Sequence, residues 1–418
     1  KGPGAMLKKY FAPGSLFSHK GYRNFFISSA IFVLGSSAFP IALAVTVLDK
    51  GGDVSALGLI LASRVLAGTL FMLVGGVWAD RLPRKWIMIS ADTFRAILCL
   101  GLLIVSAHDM PLWAIGLLVF LMGLGDSFGA PAGSAIVPSL LPDHLLPAGN
   151  VAKGIVGKIG NIVGPGIGGL LIAILGADWT FGLIGFSMLM ATSMILTIKE
   201  PPRQEILEDK PTFLFELKEG FKLVWEIKWI AASIAMASFQ LMVIVAAETV
   251  LLPIISRREF HTDSVFAISA GMFSLGGAIS ALIAIKLKTK RPGFVAIWLW
   301  ALFAFAPLVL AFPINEWVVI AGYFIAGLSI GGWEAYWVTS VQREVPQDMQ
   351  GRVFSIDMVG SGGLMPLGMA LVGPVVALMG ERPFLLSSIV IHVAICYLVL
   401  LVPGVAEMRD PRRSSTLE

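Results

Sequence analysis

Trp317-Val-Val-Ile-Ala-Gly-Tyr-Phe-Ile-Ala-Gly-Leu-Ser-Ile-Gly-Gly-Trp333 carries no charged residue and no alternation of polar with apolar positions. A strand of a membrane barrel alternates and ends after about ten residues, so a run of this kind reads as a helix crossing hydrocarbon. Such a crossing needs roughly 20 mostly apolar residues, and comparable stretches recur along the chain. Apolar residues make up 56% of the 418 positions and charged residues only 14%, whereas soluble domains carry about a quarter charged residues. The expectation is an all-α membrane protein with no large soluble domain.

Twelve transmembrane helices are expected, at 24–48, 56–79, 86–107, 112–137, 151–176, 179–198, 229–255, 264–287, 294–313, 316–341, 353–379 and 383–403. One long polar interruption, 199–228, separates two six-helix halves, 1–198 and 229–418. Within it Phe213, Phe215, Leu217, Phe221, Leu223, Val224 and Trp225 interleave with Glu216, Lys218, Glu219 and Lys222. That pattern suits an amphipathic helix lying on the cytoplasmic membrane surface. The halves also echo each other weakly: Met122-Gly123-Leu124 with Leu141-Pro142 returns as Ala326-Gly327-Leu328 with Val345-Pro346. Internal duplication is a usual feature of transporters, where two pseudo-symmetric halves rock about a central site. Since one chain supplies both halves, a monomer is expected.

Lys and Arg cluster at Lys8, Lys9, Lys20, Arg23, Arg81, Arg84, Lys85, Lys199 to Lys228, Lys286 to Arg291 and Arg409 to Arg413. The opposite side keeps only Lys50, Arg257, Arg258 and Arg382. The excess of positive charge on inner loops then places both termini in the cytoplasm of a bacterial cell, with the chain in the inner membrane. The net charge of +4 is mostly this topology signal, and no nucleic-acid partner is expected. Cys99 and Cys396 both fall inside expected spans, where packing is their role.

Ionisable residues within spans cost at least about 2.5 kcal/mol each at mid-membrane and usually face a cavity or a partner. Glu334, Asp126, Glu248 and Asp92 are therefore the candidates for proton coupling, with Glu334 and Asp126 ranked first because they lie deepest. Asp92 and Arg95, three residues apart, read as an ion pair on one helix face. Arg64 either snorkels to the interface or pairs with a carboxylate across a cavity. Arg64, Arg95, Phe239, Trp333, Tyr336 and Trp337 are the candidate lining of a substrate cavity, and Glu334 among aromatic rings suits a cationic or amphipathic cargo. Trp298 and Trp300 could stack on such a cargo as well, while lipid-interface belts and core packing account for most aromatics in proteins of this kind.

No Gly-x-x-x-x-Gly-Lys followed by Ser or Thr occurs, so ATP is not the expected energy source. No zinc-ligand spacing is present, and His19, His108, His144, His261 and His392 form no catalytic cluster. Neither a cofactor, a metal nor enzymatic activity is expected.

Gly76-Val-Trp-Ala-Asp80-Arg81-Leu-Pro-Arg84-Lys85 closely resembles the cytoplasmic signature loop of the major facilitator superfamily. The resemblance implies the major facilitator fold and a latch between halves that holds the outward-facing state, with Arg81, Arg84 and Lys85 in water. The corresponding loop of the second half, Ile285-Lys286-Leu-Lys288-Thr-Lys290-Arg291, lacks the Asp-Arg pair. Gly160-Asn-Ile-Val-Gly164-Pro165-Gly166-Ile-Gly168-Gly169 is similar to the antiporter motif of drug-exporting members. It implies export and a pliable seam between halves, since small residues allow close approach and Pro165 removes a helix hydrogen bond. Gly129-Ala-Pro131-Ala, Leu141-Pro142, Gly149-Asn150 and Gly351-Arg352-Val353-Phe354 resemble the branch of enterobactin exporters and macrolide efflux proteins.

Taken together these resemblances imply export of small amphipathic molecules (drugs, antibiotics or siderophores) by proton antiport with alternating access. Cargo, protons and membrane lipids are the implied partners. Unlike relatives with a first-span carboxylate, this chain has no acid there before Asp49, so coupling falls to other helices. Proton-coupled uptake and lipid or lysolipid flipping are the alternatives within transport, and an intramembrane enzyme is the alternative from another class.

Overall fold

Hydrocarbon offers backbone N–H and C=O groups no partner, so each apolar run satisfies them within itself by coiling. The computed structural model describes residues 14–108, 110–199, 213–287 and 289–409, with side chains described throughout except at 73–81, 130–131, 134–135, 147, 213–217, 285 and 347–348. No β-strand occurs among the described residues.

Eleven helical segments among them are long and apolar enough to cross a membrane. The chain is thus an all-α, multi-pass membrane protein. The count fits twelve spans, because the segment Asp143–Leu196 is too long for one crossing. Its helix, Leu146–Leu196, would extend roughly 75 Å if straight, over twice the hydrocarbon thickness of about 30 Å. At Gly176 the backbone leaves the helical region (φ 83, ψ 164), a conformation open to glycine for want of a Cβ, and two spans meet there.

The α-helices of seven or more residues, in chain order, are α1 (Lys20–Ser36), α2 (Phe39–Asp49), α3 (Val54–Arg81), α4 (Arg84–Ala107), α5 (Leu112–Ala135), α6 (Leu146–Leu196), α7 (Phe213–Glu226), α8 (Lys228–Gln240), α9 (Ala246–Phe260), α10 (Ser264–Lys286), α11 (Pro292–Ala301), α12 (Phe305–Ala311), α13 (Glu316–Glu344), α14 (Gln347–Gly362), α15 (Met365–Met379) and α16 (Glu381–Leu400). A π-helical turn, Leu241–Val245, joins α8 to α9.

The chain forms two compact units, one of Lys1–Lys50 with Ser63–Glu208 and one of Gly51–Ala62 with Asp209–Glu418. In the first, α6 lies along α1, α2 and α4. Cβ atoms added at Gly160 and Gly164 would stand 2.1 Å from Val33 Cγ1 and 1.9 Å from Ser37 Cβ, and one at Gly168 would stand 2.9 Å from Ala38 Cα. These three glycines therefore serve packing against the first span, inside one unit, where the sequence reading expected a seam between halves. The physical reason is their spacing: positions four apart share one helix face, and that face meets α1 and α2.

In the second unit α10 and α13 run together. A Cβ at Gly331 would lie 1.7 Å from the Gly277 carbonyl oxygen, and one at Gly327 would lie 2.0 Å from that of Phe273. Such contact is the usual basis of helix association in lipid. Gly331→Val should lower unfolding stability by about 3 kcal/mol, the upper range of overpacking, whereas Gly157→Ala, inside a helix with nothing within 4 Å of its added Cβ, should not lower it and should gain up to about 1 kcal/mol. Thermal unfolding of both variants in detergent checks this.

Candidate functional site: charged groups within the spans

Asp126 stands in α5 on the stretch Gly123-Leu-Gly125-Asp126-Ser-Phe-Gly129, and its glycines explain how two arginines reach it. A Cβ at Gly123 would lie 2.1 Å from the Arg64 carbonyl oxygen, so α3 and α5 touch backbone to backbone. Cβ atoms at Gly125 and Gly129 would lie 2.7 Å from Arg95 Cγ and 2.6 Å from its Nη2, so the Arg95 side chain from α4 lies in a trough of glycines.

The result is a four-residue charge network in the first unit. Arg64 Nε and Nη2 donate to Asp126 Oδ2 at 3.0 and 2.9 Å, and Arg95 Nη1 donates to Asp126 Oδ1 at 2.9 Å. Arg95 also pairs with Asp92 one helix turn away. Two cations face two anions, so the network is neutral. Phe39 lies under the Arg64 guanidinium at 4.5 Å and Phe32 under that of Arg95 at 4.6 Å, within cation–π range. Side chains of Arg95 and Asp92 are each only 7% exposed, while Arg64 and Asp126 are 28% and 33% exposed. The network thus has an enclosed end and an open end.

The second unit holds two acidic groups with a different environment. Glu248 Oε2 accepts from the Tyr323 hydroxyl at 2.8 Å and Oε1 from Thr249 Oγ1 at 3.2 Å. Among the described residues no arginine or lysine pairs with it. It lies three residues after the π-helical turn Leu241–Val245, a departure from the α-helix that costs regular hydrogen bonding and often accompanies function. Asp357, on α14, accepts from Trp337 Nε1 at 2.8 Å and from Ser361 Oγ at 2.7 Å.

The aromatic candidates separate. Trp337 is buried, and Trp333 stacks on it with centroids 5.7 Å apart and an interplanar angle of 13°. Tyr336 is buried and donates to the Leu287 carbonyl. Trp229 meets Trp337 edge-on. Trp337 and Tyr336 are thus core residues of the second unit rather than exposed walls, because α13 turns that face toward α8 and α11. Glu334 and Phe239 are exposed. Glu334 lies eleven residues beyond Tyr323 on α13, three turns along nearly the same face.

Of the signature-loop residues, Gly76, Asp80 and Arg81 fall where side chains are outside the described residues. Arg84 and Lys85 open α4. Lys85 Nζ donates to the carbonyls of Leu196 and Ile198, both at 2.7 Å, at the end of α6. The sequence reading put Lys85 in water; the carbonyls left without partners at a helix C-terminus claim it instead. Pro165 lies inside α6, and Gly166 has open space around it.

Sequence reasoning did not single out Tyr323, Asp357 or the enclosed group of Gln240, Trp300, His392 and Cys396. Trp300 Nε1 donates to Gln240 Oε1 at 2.6 Å, and Gln240 Nε2 donates to the His392 carbonyl and Cys396 Sγ, both at 3.2 Å. Asp357 carried a signal, an acid four residues into the expected span 353–379. Tyr323 and Gln240 are uncharged and so were not marked by the cost of an ionised group within a span, and their partners lie far away in sequence.

The family model described as Major Facilitator Superfamily matches residues 25–369. Macrolide efflux protein A of Streptococcus pyogenes is 24% identical over 400 residues, covering 91% of this chain and 94% of that protein. Enterobactin exporter EntS of Shigella flexneri is 26% identical over 379 residues, covering 87% and 86%. Among solved structures, a mutant of the nucleoside transporter NupG superposes with a TM-score of 0.74 at 14% identity, covering 91% of this chain and 98% of that one. A D-xylose-proton symporter does so with 0.72 at 12% identity, covering 93% and 99%. At such identities the solved structures speak for the fold alone.

The charge network yields a prediction. Removing Arg95 leaves two carboxylates without their shared cation, so Arg95→Met should cost about 3–5 kcal/mol of unfolding stability. Arg64→Met, at the open end, should cost about 1 kcal/mol or less. Asp92→Leu added to Arg95→Met should recover part of the loss. Denaturant unfolding of the purified variants measures all three.

Proposed function

The chain belongs to the Major Facilitator Superfamily, a family of transporters and not enzymes, and from that premise we propose that it exports small amphipathic molecules in exchange for protons. Export rests on the macrolide and enterobactin exporters among its relatives and on the antiporter-like motif Gly160 to Gly169 in α6. We place the chain in the bacterial inner membrane with both termini cytoplasmic, as a monomer whose halves 1–198 and 229–418, joined by 199–228, rock about the cargo.

The observation that carries proton exchange is the contrast between Asp126 and Glu248. Asp126 is gripped by two guanidinium groups, so a proton placed on it would leave Arg64 and Arg95 short of a counter-charge. Among the described residues Glu248 receives only neutral hydroxyl donors, and a proton there uncovers no cation among them. We therefore assign proton carriage to Glu248 and a structural role to the Asp92, Arg95 and Asp126 cluster, reversing the order that depth in the sequence suggested. Glu248 lies in the outer part of its span, where protons enter from outside. Glu334, three turns along the Tyr323 face of α13, is the second acidic station.

Sealed proteoliposomes with an internal pH dye and an imposed proton gradient test the proposal, with macrolides and catecholate siderophores as cargo. Wild type should move protons when cargo is added, and Glu248→Gln should lose that flux more than tenfold while still exchanging cargo across the bilayer. Asp126→Asn should lose folding stability before it loses coupling. Undiminished coupled flux in Glu248→Gln would refute the assignment, and labelled-lipid movement without any cargo-driven proton flux would favour a flippase.

A further inference from the structure

Among its described side chains, 218–226, helix α7 is held on one side only. Arg352 Nη1 of α14 donates to Glu219 Oε2 at 2.7 Å, a Cβ at Gly220 would stand 2.7 Å from Ile356 Cδ1, and Val224 and Ile227 enter the core of the second unit. The opposite side is bare: Phe221 is 55% and Trp225 81% exposed, and Lys218 and Lys222 are exposed beside them. At about 100° per residue these four side chains fall within roughly 100° of arc, rings on one flank and ammonium groups on the other, with Glu226 at the edge.

Position says what that face meets. α7 ends at Glu226, the backbone breaks at Ile227 (φ −91, ψ 85), and the span Lys228–Phe260 begins at the next residue. The helix therefore sits at the mouth of a span, on the side of the membrane carrying the Lys and Arg excess. Tryptophan and phenylalanine settle at the boundary between headgroups and acyl chains, and lysine beside them meets lipid phosphate.

We propose that this face of α7 is a binding site for an anionic phospholipid headgroup, with Lys218 and Lys222 on the phosphate and Phe221 and Trp225 in the glycerol region below it. The site reaches further than anchoring. Glu219 ties α7 to Arg352, and Arg352 lies near the start of the span Met349–Met379. An anionic lipid that holds α7 thereby also holds the basic end of that span, so lipid composition would bear on its movement. The inference concerns binding and stands whether or not the chain exports by proton antiport.

Short-chain phosphatidylglycerol and phosphatidylcholine are titrated against the purified full chain, with bound lipid read by native mass spectrometry. Wild type should prefer phosphatidylglycerol, and Lys218→Gln with Lys222→Gln should weaken its binding about 30-fold, as expected for two charges near an anionic surface. Lys286→Gln with Lys290→Gln, which removes equal charge elsewhere on the same unit, should change little. Equal binding by wild type and the Lys218/Lys222 variant, or an equal loss in the Lys286/Lys290 control, would overturn the site. As a second readout, brominated phosphatidylglycerol in nanodiscs should quench tryptophan emission more than brominated phosphatidylcholine does, and Trp225→Phe should reduce the difference. A difference undiminished in Trp225→Phe also counts against the proposal.

Discussion

Helices in lipid gain little by hiding apolar side chains from one another, because the acyl chains around them are equally apolar; they associate where their backbones come close enough for dispersion contact and interhelical hydrogen bonds. That constraint explains the chain's glycine usage. In the first unit Gly160, Gly164 and Gly168 bring α6 against α1 and α2, and in the second Gly327 and Gly331 bring α13 against the carbonyls of α10. Everything placed on those helices inherits its position from these contacts, including Tyr323, which reaches Glu248 from α13.

The same constraint shapes the charge network. Gly123 lets α3 and α5 meet, which puts Arg64 opposite Asp126, and Gly125 with Gly129 makes room for Arg95. A larger residue at any of the three would displace a guanidinium from its carboxylate. Small residues here are thus part of the electrostatics: at the enclosed end, where Arg95 and Asp92 are each 7% exposed, little water reaches the pair to replace a lost partner. Glu248 shows the complementary case, a carboxylate near a π-helical turn whose partners among the described residues are the hydroxyls of Tyr323 and Thr249.

The sequence by itself determined the all-α membrane architecture, the repeated spans, the polar interruption at 199–228 and the membership in a transporter family. These rest on local, one-dimensional facts: the run length needed to cross hydrocarbon, the cost of charge within it and the order of residues in short motifs. It also marked Asp92, Arg95, Asp126, Glu248 and Glu334 as expensive. Only the tertiary structure decided which of them compensate one another, because Arg64 and Asp126 are 62 residues apart and no periodicity links them. Likewise only packing decided that Trp337 and Tyr336 are core and that Lys85 caps the end of α6. Nor did the sequence show that the glycines of α6 serve contact within one unit. A helix presents every side chain to some neighbour, and which neighbour that is depends on the distances between helices that sequence order does not contain.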